Sequence, residues 1–242
     1  MAREHYAGKA LIKKIYNDII RLDLKKITYI LIVSFVASFC IRITGTLFPS
    51  IFQNVWIVKF TLVTNTVFIL VHLFFFICFL KSYALNRGDS LATGSFLAII
   101  GSCLVAFIYL KNFCLVFDLD VIPLSLRNYY FDAIIPLAAS LLHLLFFSLF
   151  KKVQSQQEYT ALNRPLSSAI IGAAIFIVLH SIVLINFLMF GRFNWLEHMP
   201  RHVAVGTVPL IAIAAIFILY FYLKFYQYLK TTPTVTASDT GV

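Results

Sequence analysis

Thr64 lies beside Asn65 in one apolar segment, and His143 is a lone histidine in another. A hydroxyl, an amide or an imidazole in hydrocarbon carries a desolvation cost that Leu or Val would avoid. A hydroxyl next to a basic imidazole is the arrangement of nucleophilic catalysis, in which the histidine takes the proton and the oxygen attacks an acyl carbon. Thr64 and His143 therefore predict acyl transfer, provided that the fold brings them to the same depth.

Helical spacing decides which histidine is the better base. Thr64 and His72 share one face of a helix, but two turns separate them, which is ~12 Å along the axis and too far for proton transfer. His143 belongs to another helix and is free of this restriction. It reaches the depth of Thr64 if its helix begins near Pro136, since proline suits a first turn, whereas a start near Tyr129 loses the match.

Two other interpretations use the same residues. A membrane threonine commonly bonds back to its own helix, and an asparagine or a lone histidine commonly holds a neighbouring helix. His72 and His143 also precede Lys81 and Lys151 by similar distances, so they are expected at equal depth, as the two axial ligands of a b-type cytochrome would be.

A metal site is the less favoured possibility. Glu197, His198 and His202 are spaced like helical zinc ligands, but Pro200 interrupts the helix that would align them. The four cysteines show no CxxC spacing and are typical of small core residues. We therefore expect no metal and no cofactor.

The elements that must position these residues are membrane helices. Of 242 residues, 61% are apolar and only 12% are charged, and the mean hydropathy is +0.90, which excludes an ordinary soluble domain. The sequence predicts an all-α membrane protein in which residues 1–26 form an N-terminal interfacial amphipathic segment, 27–228 a six-helix transmembrane domain and 229–242 a disordered tail. The predicted spans cover roughly 27–48, 57–80, 91–113, 134–150, 166–190 and 203–223.

The charge pattern indicates orientation and partners. Most of the cations behind the net charge of +10 flank helix ends, where anionic lipid head groups are the ordinary partner, so we expect a membrane and no nucleic acid. Lys and Arg concentrate before the first span and in alternate loops. This bias favours cytoplasmic termini, in the plasma membrane or the endoplasmic reticulum.

Three stretches resemble a known family. They are KFTLVTNTVFILVHLFFFIC (59–78), the stretch from Pro136 to His143 that leads into a Phe-rich helix, and NWLEHMPRHVAVG (194–206). Together they resemble the androgen-induced protein and androgen-dependent TFPI-regulating protein family of multi-pass membrane threonine hydrolases. The first stretch also resembles the related bacterial Pr6Pr membrane proteins, in which Thr or Ser precedes Asn.

The resemblance implies hydrolysis of fatty acid esters of hydroxy fatty acids. The apolar helices suit a lipid substrate that enters from the bilayer. The resemblance places the nucleophile on Thr64, or on Thr61 in the alternate register, and the base on His143. The chain departs from the family by having Ser140 and Leu141 where Asn-His is found, and by having Ile185 and Asn186 in place of a His pair.

Oxyanion stabilisation falls to side chains, because backbone N–H groups inside a helix are already bonded. Asn65, Thr61 and Arg42 are the candidates. The alternative functions are a non-enzymatic polytopic membrane protein, such as a sensor, a complex subunit or a transporter, and a b-type cytochrome.

Overall fold

The computed structural model describes residues 23–48, 54–117, 119, 130–156, 160–190 and 201–231. These residues form six long helices and no strand, which confirms the all-α prediction. We number them α1 (Leu24–Leu47), α2 (Val55–Phe79), α3 (Asp89–Val116), α4 (Tyr130–Gln156), α5 (Asn163–Phe190) and α6 (Arg201–Thr231). Each is long and apolar enough to cross a membrane. The predicted interfacial segment and tail lie almost entirely outside the described residues.

The six helices close into a ring. Each packs against its neighbours in the chain, and α1 packs against α6. Short connections make successive helices antiparallel. We call the end where α1 begins and α6 ends the proximal end, and the opposite end, where α1 ends and α2 begins, the distal end.

Local sequence signals start the helices. Asp23 and Asn54 cap α1 and α2, each accepting a hydrogen bond from the backbone N–H two residues later, at 3.1 and 2.9 Å. At the proximal end α2 continues as a π-helical turn over Leu80–Ala84. Gly88 then starts α3 with a φ of 119°, a conformation that L side chains rarely adopt.

The proximal half of the ring is filled by aromatic side chains. Phe75, Phe76 and Phe79 of α2 and Phe146 and Phe150 of α4 are buried there. The rings of Phe76 and Phe146 meet edge to face, with centroids 4.9 Å apart and planes at 82°. The Phe-rich ends of the second and fourth spans thus pack together in one cluster and do not face the lipid.

Of the two starts considered for α4, near Pro136 and near Tyr129, the structure shows the second. The helix begins at Tyr130, and Pro136 lies inside it. The missing N–H of Pro136 removes one hydrogen bond to the carbonyl of Asp132, a loss that membrane helices tolerate. Since the helix begins six residues before Pro136, His143 lies ~9 Å deeper in it than a start at Pro136 would place it, and its depth match with Thr64 is lost.

Candidate functional site

A cavity of about 180 Å³ lies within the ring of helices. Its lining is mostly aromatic and aliphatic, with contributions from α1, α2, α4, α5 and α6. The polar residues that line it are Ser38, Arg42, His72, Ser140, His143 and Tyr222. A largely apolar pocket with a few convergent polar groups is the usual form of a small-molecule site.

Two histidines meet at this cavity. The ring centroids of His72 and His143 are 5.1 Å apart. The Ser102 hydroxyl lies 3.2 Å from His72 Nδ1 and 3.2 Å from His143 Nε2. On its far side His72 Nε2 meets the Tyr222 hydroxyl at 2.8 Å, and His143 Nδ1 meets the Ala139 carbonyl at 2.7 Å. The equal depth predicted for the two histidines is therefore found.

These contacts fix the direction of every hydrogen bond when both imidazoles are neutral. The Ala139 carbonyl can only accept, so His143 Nδ1 carries the proton and Nε2 accepts from the Ser102 hydroxyl. Ser102 has a single proton, so His72 Nδ1 must donate to its oxygen. His72 Nε2 then accepts from the Tyr222 hydroxyl. We call this chain, from Tyr222 through His72, Ser102 and His143 to Ala139, the imidazole relay.

A glycine allows α3 to approach the relay. A Cβ atom at Gly101 would lie 3.2 Å from His143 Cε1 and 3.3 Å from the Ala139 oxygen, which is tighter than most real contacts. Because Gly101 has no side chain, α3 packs closely on α4. Ser102, only 1% exposed, therefore reaches the space between the two imidazoles, but it does not itself line the cavity.

A second polar cluster lies in the distal half. Ser38 of α1 donates to Asn65 Oδ1 at 2.5 Å, and Arg42 Nε donates to the same oxygen at 3.4 Å. Arg42 Nη2 also donates to the Tyr109 hydroxyl of α3. Asn65 therefore joins α2 to α1, as its structural interpretation predicted. Toward α5, the Ser140 hydroxyl bonds His180 Nδ1 at 2.9 Å.

The structure does not bring Thr64 and His143 together. The Thr64 hydroxyl donates to the Phe60 carbonyl at 3.0 Å, and Thr64 does not line the cavity. Thr61, the residue of the alternate register, has a buried hydroxyl with no hydrogen-bond partner among the described residues. Both threonines lie at least two turns of α2 from His72, and hence from the imidazole of His143 beside it.

The histidine pair is not arranged for haem. Bis-histidine ligation needs one nitrogen of each ring to face an iron between them. Here the nitrogens that face inward are both bonded to Ser102. The residues considered for a zinc-like metal site, Glu197, His198 and the side chain of His202, lie outside the described residues.

Sequence reasoning missed Ser102 and Tyr222. Ser102 is a small residue in an apolar run, and Tyr222 is one of many aromatic residues near the end of α6. The Gly101–Ser102 pair was the one available signal, since adjacent small residues mark close helix contacts in membranes. No family model, curated protein or solved structure matches this chain.

Proposed function

We propose that this protein is a membrane-embedded hydrolase of lipid esters whose reaction centre is the imidazole relay. One observation carries the proposal. The Ser102 hydroxyl donates to His143 Nε2, while His143 Nδ1 donates to the Ala139 carbonyl. A hydroxyl, a base and a group that orients the base are the three parts of nucleophilic acyl transfer.

Ser102 is buried and is not among the residues that line the cavity, so the reaction requires that the two imidazoles part and admit the ester to its hydroxyl. His143 Nε2 takes the Ser102 proton as the serine oxygen bonds to the ester carbonyl carbon. The intermediate collapses, the carbon–oxygen ester bond breaks, and the leaving alkoxide takes the proton from Nε2. Water then attacks the acyl-serine, His143 accepts its proton and returns it to the serine oxygen, and a carboxylic acid is released.

His72 supplies the donor for the oxyanion. Its Nδ1–H points at Ser102, next to the place where negative charge develops on the carbonyl oxygen. Tyr222 keeps His72 in this tautomer by donating to Nε2. His72 thus acts beside the base, whereas Asn65 and Arg42, two of the predicted oxyanion donors, bond each other in the distal half.

The lining favours a lipid substrate. Phe35, Phe68, Phe147 and Ile218 present an apolar surface to the cavity, so an acyl chain from the bilayer exchanges one hydrocarbon environment for another. The resemblance to the threonine hydrolases supports fatty acid esters of hydroxy fatty acids as the substrate class. The charge bias supports cytoplasmic termini, and the location that we propose is the plasma membrane or the endoplasmic reticulum.

A labelling experiment tests the proposal and separates it from the threonine mechanism. A long-chain alkyl fluorophosphonate should label the purified protein. Ser102→Ala should abolish labelling, and His143→Ala should lower ester hydrolysis by about 10²-fold or more. Thr64→Val should retain both activities, because the hydroxyl it removes bonds only its own helix.

Ser95 is the matched control. It lies in the same helix, is fully buried and donates to the Leu91 carbonyl at 2.7 Å. Ser95→Ala should keep wild-type labelling, and thermal melting of each variant confirms folding. Labelling lost in Thr64→Val but kept in Ser102→Ala would establish the threonine register instead. An unlabelled, inactive wild-type protein would establish the non-enzymatic alternative, in which the relay only joins helices.

A further inference from the structure

Arg42 is the formally charged residue among those that line the cavity. It lies two residues before the distal end of the candidate membrane span Leu24–Thr44 of α1, and the residue is exposed. A guanidinium inside a membrane segment is costly and calls for a functional explanation. The ordinary alternative is an arginine that extends outward from a helix end to reach lipid head groups.

The contacts of Arg42 point inward instead. Nε and Nη2 donate to Asn65 of α2 and Tyr109 of α3, and the guanidinium carbon lies 5.7 Å from the Tyr109 ring centroid. Ser38 holds the Asn65 oxygen that Arg42 uses. Three helices therefore fix the guanidinium at the cavity before any ligand arrives, which lowers the entropic cost of binding.

The residues that line the rest of the cavity indicate the chemistry of the rest of the ligand. Between Arg42 and the histidines the lining is chiefly aromatic, with Phe35, Phe39, Phe68 and Phe176. Asn65, at the level of Arg42, and His72 are seven residues apart in α2, which is ~10 Å along the helix. The site is cationic at Arg42, and the cavity between Arg42 and His72 is lined chiefly by apolar side chains. This arrangement suits an amphiphile with a small anionic head.

We propose that Arg42 binds the carboxylate of a long-chain fatty acyl compound whose chain begins in the cavity. The planar guanidinium fork matches a carboxylate in geometry. At about 180 Å³ the cavity is smaller than the roughly 300–1,000 Å³ of typical ligand sites, so it holds the head and the first part of the chain. The remaining chain stays in the bilayer.

Binding is measured directly, so its outcome is separate from that of the hydrolase proposal. Full-length protein in phosphatidylcholine nanodiscs is crosslinked with a photoactivatable fatty acid, and palmitate, hexadecanol and lysophosphatidate compete. Palmitate should compete strongly and hexadecanol weakly. Arg42→Gln should lower the affinity for the fatty acid about tenfold or more, because a charge-assisted bond is replaced by a neutral one.

Arg87 offers a matched control. It donates to the Tyr228 hydroxyl at 3.1 Å and stacks on the Tyr83 ring at 4.4 Å, so it repeats the arginine–tyrosine arrangement at the proximal end, away from the cavity. Arg87→Gln should bind the fatty acid like the wild type. Ala173→Leu, which fills the cavity and leaves Arg42 in place, should also weaken crosslinking if the chain lies there.

Three results would overturn the proposal. The first is wild-type crosslinking in both Arg42→Gln and Ala173→Leu. The second is equal competition by hexadecanol and palmitate, which would show that the charge does not contribute. The third is stronger competition by lysophosphatidate, which would assign Arg42 to a lipid phosphate.

Discussion

The proximal and distal halves of the ring are held together by different forces. Aromatic rings fill the proximal half and meet edge to face, as Phe76 does with Phe146 and Phe150 with Phe79. In the distal half, helices are joined by polar pairs, including Ser38 with Asn65 and Lys111 with Asp132. The packed aromatic half is sensitive to changes in side-chain volume but needs no polar partners. In the polar half, each side chain depends on its partner, because an unpaired polar group in lipid is costly. The cavity and the imidazole relay lie between the aromatic proximal half and the polar distal half.

The largest stability effect is expected from the distal ion pair. Lys111 Nζ lies 2.6 Å from Asp132 Oδ1, and both side chains are nearly inaccessible. Lys111→Met leaves a buried carboxylate without its cation and should lower the free energy of unfolding by about 3–5 kcal/mol. Thermal or denaturant unfolding in a mild detergent measures the change. The double variant Lys111→Met/Asp132→Leu should recover most of it; if it is as unstable as the single variant, packing rather than charge governs this half.

A slightly smaller effect is expected in the proximal half. Phe150 is fully buried, and Phe150→Ala should cost about 3 kcal/mol, near the low end for such substitutions, because packing in lipid lacks the transfer from water. Phe96, which is 57% exposed, is the control, and Phe96→Ala should change stability little. Equal losses in the two variants would show that the proximal cluster is not a packed core.

A single methyl group tests how closely the helices approach beside the cavity. A Cβ atom at Gly172 of α5 would lie 2.7 Å from the Ala214 oxygen of α6, closer than real Cβ contacts. Gly172→Ala should therefore destabilise by about 1–3 kcal/mol through overpacking. Ala174 is exposed, and Ala174→Leu should stay within about 0.5 kcal/mol of the wild type by the same unfolding assay. A silent Gly172→Ala would mean that α5 and α6 separate freely.

The sequence was sufficient for the six helices because hydropathy over some 20 residues reports directly on membrane crossing. It was also sufficient for the equal depth of His72 and His143, since they precede Lys81 and Lys151 by similar distances. It left the start of α4 open between Pro136 and Tyr129, because proline marks a helix start in soluble proteins but is tolerated inside a membrane helix. The earlier start separates His143 from Thr64.

Other parts of the site depend on pairings between helices that no local pattern records. Ser102 reaches the histidines only because Gly101 lets α3 approach α4. Tyr222 meets His72 across 150 positions of the chain. A single sequence shows which residues are polar within a span, and the tertiary contacts decide which of them become partners.

The last acceptor of the imidazole relay has a consequence for the membrane as an electrical barrier. Chains of hydroxyls and imidazoles conduct protons when each member passes one on and receives another. The Ala139 carbonyl accepts a hydrogen bond from His143 but has no proton to release. The relay is therefore closed at this end, and no proton can pass along it from Tyr222 through His143 and out at Ala139.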